Sequence, residues 1–347
     1  MQASLRPYLL VCSLLTAVLT SVPALAHSSG DRPPTAYKWY PSHYIKVGRA
    51  QDNAAFLEQS PPFTAFLQNP NVTGFSFNIT WRAVEPAPGS YNFSTVDRLI
   101  ETAASRGKKS IIRIYDRAFW NVSCDQTWHQ DAPLPDFIPG ANLEQGGCVA
   151  AFWQADVKAA YIRLVAALAA RYDRDPRVAA IFLEESATDL ADPSLVAQPA
   201  KNQAFIDLVI QSAKQFQHTL VSAHWNYPEE IVHQFLQRKD EWISLGIGLS
   251  EPDALPHRYE APIAAYSRQH AAVLPIMPNM DGTLQNCETD TPQHLYNYHK
   301  NTAHYLVWAK WRACDEETYP ATINSFLQAA PRSLQTSCPT AILCQSE

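Results

Sequence analysis

Residues 74–116 read GFSFNITWRAVEPAPGSYNFSTVDRLIETAASRGKKSIIRIYD, and this run decides the fold. Phe75, Phe77 and Ile79 alternate with smaller or polar residues, which is the period of a β-strand. Ser94, with Asp97 three positions on, precedes Val96, Leu99, Ile100, Ala103 and Ala104 at helical spacing. That pattern predicts a helix with Ser94 as its N-cap and one apolar face. Gly107 supplies the C-terminal stop. Ser110 to Tyr115 then forms a β-rich run containing Ile111, Ile112 and Ile114. Strand, helix and strand in under fifty residues make a right-handed βαβ unit, hence a parallel sheet.

The same alternation continues in both directions. Upstream, Tyr44 to Val47 reads as a first strand, followed by a helix from Asn53 to Leu67 interrupted by Pro61-Pro62. Downstream, Trp153 to Tyr172 is an amphipathic helix with Val157, Ala160, Tyr161, Leu164, Val165 and Leu168 on one face. Further strands are expected at Val178–Leu183, Thr219–Ala223, Trp242–Leu249, Val273–Met277 and His304–Trp308. Between and after them, helices are expected at Ala204–Phe216, Glu229–Gln237, Arg258–His270, Gln293–Thr302 and Thr322–Ala329. Eight strands alternating with helices predict a single α/β domain, a (β/α)8 TIM barrel. The segment from Arg117 to Gly147 is too long for an ordinary βα connection, and Trp120, Trp128 and Phe137 make it an aromatic loop over the mouth.

The chain has 347 residues. Arg6, the apolar run Leu9–Leu19 and Ala24-Leu25-Ala26 together have the form of a secretory signal over residues 1–26. Residues 27–347 are left for the barrel, in an extracellular or periplasmic setting, and the apolar run is too short for a membrane span. A formal net charge of −6 carries no nucleic-acid footprint. Six cysteines follow the signal, and nearest-neighbour pairing joins Cys124 with Cys148, Cys287 with Cys314, and Cys338 with Cys344. No Cys-x-x-Cys or His-Glu-x-x-His occurs, nor a glycine loop for phosphate, so neither a metal nor another cofactor is expected.

The stretch W-R-A-V-E-P-A-P-G-S-Y-N-F-S-T-V-D-R-L-I, residues 81–100, resembles the segment after barrel strand 2 in clan A glycoside hydrolases. The likeness is greatest to family 42-type β-galactosidases and their relatives. It implies a (β/α)8 fold, a carbohydrate substrate and hydrolysis of glycosidic bonds.

Reactive side chains of such barrels come from the C-terminal ends of the strands. The fourth strand ends in Glu184-Glu185, two like charges at a partly buried rim, where at least one pKa is raised. The resemblance gives Glu185 the acid/base role and puts Glu184 where the family has Asn. The family's nucleophilic Glu, at the end of strand 7, has no counterpart here. Asp281 is the nearest carboxylate, and Glu251, after strand 6, is the alternative. The resemblance makes Trp308 a platform beneath the sugar. Trp81, Arg82, Arg113, Tyr115, Trp225 and Asn226 are further candidates for stacking on or hydrogen-bonding a saccharide, and a buried Arg113 needs the glutamate pair as its partner. Two other functions share the scaffold: a non-catalytic carbohydrate-binding barrel, and a polysaccharide lyase with Tyr115 or His224 as base.

Overall fold

The structure is a computed structural model. It describes residues 36–49, 61–119, 122–127, 129, 132–187, 189–225, 229–252, 254–256, 262–280, 291–309 and 319–345. Eight strands build the barrel: β1 (Ser42–Arg49), β2 (Gly74–Thr80), β3 (Lys109–Tyr115), β4 (Val178–Glu185), β5 (Leu220–His224), β6 (Gly248–Ser250), β7 (Asn279–Met280) and β8 (Tyr305–Trp308). Hydrogen-bonded neighbours run β6-β5-β4-β3-β2-β1-β8-β7, and each pairing is parallel. The two edges of that row meet. Ile276, just before β7, bridges Leu249 of β6, and the N–H of Met277 donates to the Leu249 carbonyl at 2.7 Å. The parallel sheet thus closes on itself as the expected (β/α)8 barrel.

Helices α1 (Pro61–Gln68), α2 (Trp81–Val84), α3 (Ser94–Ala104), α4 (Ala155–Tyr172), α5 (Gln198–Ala213), α6 (Glu229–Gln237), α7 (Lys239–Ser244), α8 (Pro262–His270), α9 (Pro292–His299) and α10 (Tyr319–Ala329) connect the strands. Alternation along β2 sorts its side chains. Phe75, Phe77 and Ile79 join Leu99, Ile100 and Leu164 in the layer between sheet and helices, which turns Ser76 and Asn78 toward the barrel interior. The interior has its own apolar cluster, including Tyr44, Ile111, Phe182, Leu220 and Met277.

Three local expectations need correction, the first being strand 7, expected at Val273–Met277, which lies at Asn279–Met280, preceded by an isolated bridge at Ile276. Phe93, not Ser94, stands at the N-cap of α3 and makes no side-chain cap bond. The Asn92 carboxamide accepts from the Ser94 N–H at 3.1 Å, while Asp97 is engaged by Arg171 and by the Tyr172 hydroxyl. The stretch expected as strand 6 is divided. Residues 239–244 form α7, with Asp240 and Glu241 in its first turn, where they suit the helix dipole. Gly246, at φ +61°, then reverses the chain before β6. Gly107, at φ +68°, is the stop expected after α3.

Part of the long segment after β3 folds as a three-stranded antiparallel sheet, Arg117–Ala118, Cys148–Ala150 and Gly140–Asn142. The Cys124–Cys148 disulfide pins it, and Cys338–Cys344 closes a second loop; Cys287 and Cys314 lie outside the described residues. This small sheet is stitched to the segment after β4. Leu143 bridges Leu190, and the N–H of Ala191 donates to the Asn142 carbonyl at 2.9 Å. The loops that follow β3 and β4 are therefore one structural unit beside the strand-4 glutamates. Among the described residues no helix is long and apolar enough to cross a membrane.

Three buried histidines set an acid limit on the fold. His43 accepts from the Trp308 indole N–H at 3.0 Å on Nδ1 and lies 2.7 Å from the Arg332 carbonyl on Nε2, an arrangement that fits only the neutral ring. His299 and His304 are also buried, and burial lowers all three pKa values to about 4. The unfolded chain takes up these protons first, near pH 6.5. Stability should therefore fall as pH drops from about 6.5 to about 4, by up to about 1.4 kcal/mol per pH unit for each ring. Denaturant unfolding at several pH values checks this; a midpoint unchanged between pH 7 and pH 5 contradicts it.

Candidate active site

The C-terminal ends of β3 and β4 carry a buried charge cluster. Arg113 is the fifth residue of β3, paired in register with Phe182 of β4. Its guanidinium meets the carboxylate of Glu184 through two bonds, Nε to Oε1 and, at 3.1 Å, Nη2 to Oε2. Both side chains are 0% exposed. The bidentate fork satisfies charges that would be very costly to bury singly. Glu185, the last residue of β4, is the one that reaches solvent, with 13% of its side chain exposed. The same Arg113 Nη2 lies 3.7 Å from its Oε1. The expected partnership of Arg113 with the glutamate pair is thus present, but divided unequally.

Around this cluster stand residues that the sequence pointed to less directly. Asp116, buried just past β3, holds Arg117 at 2.6 Å from Oδ1 to Nε. Burial pushes its carboxyl up to about 6, against the pull of Arg117. Arg117 also donates to the Ala187 carbonyl at 2.8 Å, just past the glutamates. Across the barrel, His224 at the end of β5 and Asn279 of β7 meet at 2.7 Å, ring Nε2 to amide Nδ2. His224 is fully buried, and burial together with nearby Arg113 keeps its pKa well below the usual value. This bond joins strands that are not neighbours in the sheet, so neither residue's pattern in the sequence announces it. Asn279 is also the residue with which the described part of the β7 end meets the interior.

Several residues expected at the mouth are wall residues. Trp81 is fully buried, donates from its indole N–H to Glu85 at 2.6 Å and packs edge-on to Tyr161. Trp225 sits in an aromatic nest with Phe205, Phe235 and Trp242. Trp308, expected to floor a sugar, is 1% exposed and packs against His43 and Phe326, the latter from α10. All three indoles lie in the main apolar layer: Trp308 because the pleat of β8 turns it outward, Trp81 as the first residue of α2, and Trp225 just past the end of β5. They are corrected from ligand platforms to core. The Arg82 guanidinium is engaged with Asp136 at 2.6 Å. Tyr115 is half-buried, with its ring centroid 5.6 Å from the Arg113 guanidinium. Glu251 is buried and accepts from the Ser267 hydroxyl of α8 at 2.8 Å. Asn226 and Asp281 lie outside the described residues. No group of three metal-ligating side chains occurs among the described residues.

No family model matches the sequence, and no curated protein matches it. Solved structures do match in fold. The chain is similar to the catalytic domain of a β-amylase from Paenibacillus polymyxa, with a TM-score of 0.52 and 11% identity over 86% of this chain and 99% of that one. It is similar to endo-glycoceramidase II from Rhodococcus sp., with a TM-score of 0.52 and 15% identity over 84% and 81%. An exo-β-1,4-mannosidase from Opitutaceae bacterium strain TAV5 gives a TM-score of 0.50 and 11% identity over 87% of this chain and 61% of that one. At such identity the likeness is one of fold. The fold they share with this chain is the (β/α)8 barrel.

Proposed function

We propose that this chain is a secreted glycoside hydrolase that cleaves an oligo- or polysaccharide, with Glu185 as proton donor to the leaving oxygen. One observation carries the proposal. Of two adjacent glutamates at the C-terminal end of β4, Glu184 is locked to Arg113 with no exposure, while Glu185 keeps a face to solvent at the mouth. General acid catalysis needs a carboxyl group that can touch the substrate oxygen. The partner carboxylate is assigned to Asp281, which follows β7 directly; Glu251, held by Ser267, is assigned a bracing role. Incubation with a broad panel of plant, microbial and animal glycans should release shorter sugars. A panel left intact throughout would count against hydrolysis.

A non-catalytic carbohydrate-binding barrel is the second possibility, favoured by one feature: the described end of β7 carries Asn279, whose amide is bonded to His224. In that case saccharides bind without turnover, and Glu185→Gln leaves binding unchanged. Elimination with His224 as base has little support, because that ring is 0% exposed.

A further inference from the structure

We propose that the barrel has a second ligand site on the face opposite the mouth, where a pocket at the N-terminal ends of β1, β2 and β3 takes an acidic sugar, its carboxylate or sulfate bound by Lys108 and Lys109. The site is independent of the hydrolysis assigned to Glu185. The pocket encloses about 630 Å³, within the ~300–1,000 Å³ of ordinary small-molecule sites. Lys109 is the first residue of β3 and Lys108 directly precedes it, and both line the pocket.

The charges of these lysines are what point to an anion. Lys108 is 7% exposed, and its ammonium donates to the carbonyls of Asn69 at 2.5 Å and Val72 at 2.6 Å. The Lys109 ammonium donates to the Pro176 carbonyl at 3.1 Å and stands 4.1 Å from the centre of the Tyr40 ring. Carbonyls satisfy N–H donors but leave the positive charge uncancelled. Among the described residues neither ammonium is in an ion pair. Asp175, next to the Pro176 carbonyl, is held by Arg177 at 2.7 Å. Burial pulls the Lys108 pKa below the usual lysine range, with no carboxylate acting against it. Two cations lining one pocket without an anion are an arrangement that an anionic ligand relieves.

The rest of the lining suits a sugar better than a bare ion. Tyr40, Pro41 and Pro70 give the pocket apolar surface, against which the C–H face of a pyranose can lie. Thr73 and Gln345 add a hydroxyl and a carboxamide, groups that both donate to and accept from sugar hydroxyls. The Tyr40 wall is braced from inside the barrel. Its N–H donates to the Tyr305 hydroxyl at 2.9 Å, and its carbonyl accepts from the Tyr44 hydroxyl at 2.9 Å. Tyr44 and Tyr305 belong to the interior cluster, so the wall needs little ordering when a ligand arrives.

The experiment is calorimetric titration of the protein and its Lys109→Glu variant. The acidic probes are tetragalacturonate, which carries carboxylates, and a sulfated chondroitin tetrasaccharide; cellotetraose is the neutral probe and sodium sulfate the bare anion. One acidic tetrasaccharide or both should bind the parent, and which of them binds separates carboxylate from sulfate recognition. Lys109→Glu should weaken that binding by about tenfold or more, while any binding of cellotetraose stays unchanged. Thermal unfolding checks that the variant is folded; should it not be, Lys109→Gln takes its place and should weaken binding in the same direction. An acidic tetrasaccharide that fails to bind, or binds parent and variant equally, overturns the proposal. Sodium sulfate binding as tightly as the tetrasaccharides would reduce the pocket to a simple anion site and overturn it as well. Glu185→Gln should leave this binding intact and Lys109→Glu should leave glycan cleavage intact, so the second site and the proposed hydrolysis can each fail alone.

Discussion

Glu185→Gln should lower hydrolysis of an alkyl-linked or sugar-linked glycan by about 10²- to 10⁴-fold, the range for losing a positioned general acid. The glutamine side chain keeps the shape of the rim but cannot deliver a proton. The loss should shrink sharply on a dinitrophenyl glycoside, whose leaving group departs as a stable anion and needs little protonation. Folding should be preserved, because Glu185 stands at the rim with part of its side chain exposed and glutamine keeps its shape. Steady-state kinetics on the two substrate types, with thermal unfolding alongside, measure these outcomes. Equal losses on both substrates would remove Glu185 from the acid role and make it a binding residue.

Arg113→Met is expected to destabilise the barrel by about 3–5 kcal/mol, since it strands the carboxylate of Glu184 in a site with no exposure. The cost should come from the abandoned charge rather than from the lost attraction. Arg113→Met/Glu184→Leu should therefore recover most of the stability, because two apolar side chains of similar volume fill the site without desolvating an ion. Denaturant unfolding of parent, single and double variants separates the two contributions. A double variant as unstable as Arg113→Met would instead place the cost in packing.

The scaffold was legible because its pattern is local. In α4, Val157, Ala160, Tyr161, Leu164, Val165 and Leu168 are buried together, as their spacing requires. The βαβ unit around α3 follows from period two passing to helical period and back. The misreadings have equally local causes. Trp242, Ile243, Leu245, Ile247 and Leu249 look like a strand by alternation, but a helix ending before Gly246 also buries Trp242, whose indole N–H donates to the Ile247 carbonyl at 2.8 Å. Tertiary packing decided between them.

At the site, sequence named the strand ends but not the faces. Arg113 and Glu184 could be paired on charge and apolar context alone. Trp308 could not be told from a platform, since one step of strand register moves a side chain from mouth to wall. The His224–Asn279 contact joins residues 55 apart across the barrel, and no periodicity encodes such a pair.

The central claim is that the mouth beside Glu185 hydrolyses a glycan. The most direct measurement is product analysis, side by side, of the protein and its Glu185→Gln variant on the same glycan panel. Shorter sugars from the parent and at least a hundredfold less from the variant is the predicted result. Equal product from both would contradict the assignment of Glu185, and binding without product from either would identify a carbohydrate-binding barrel.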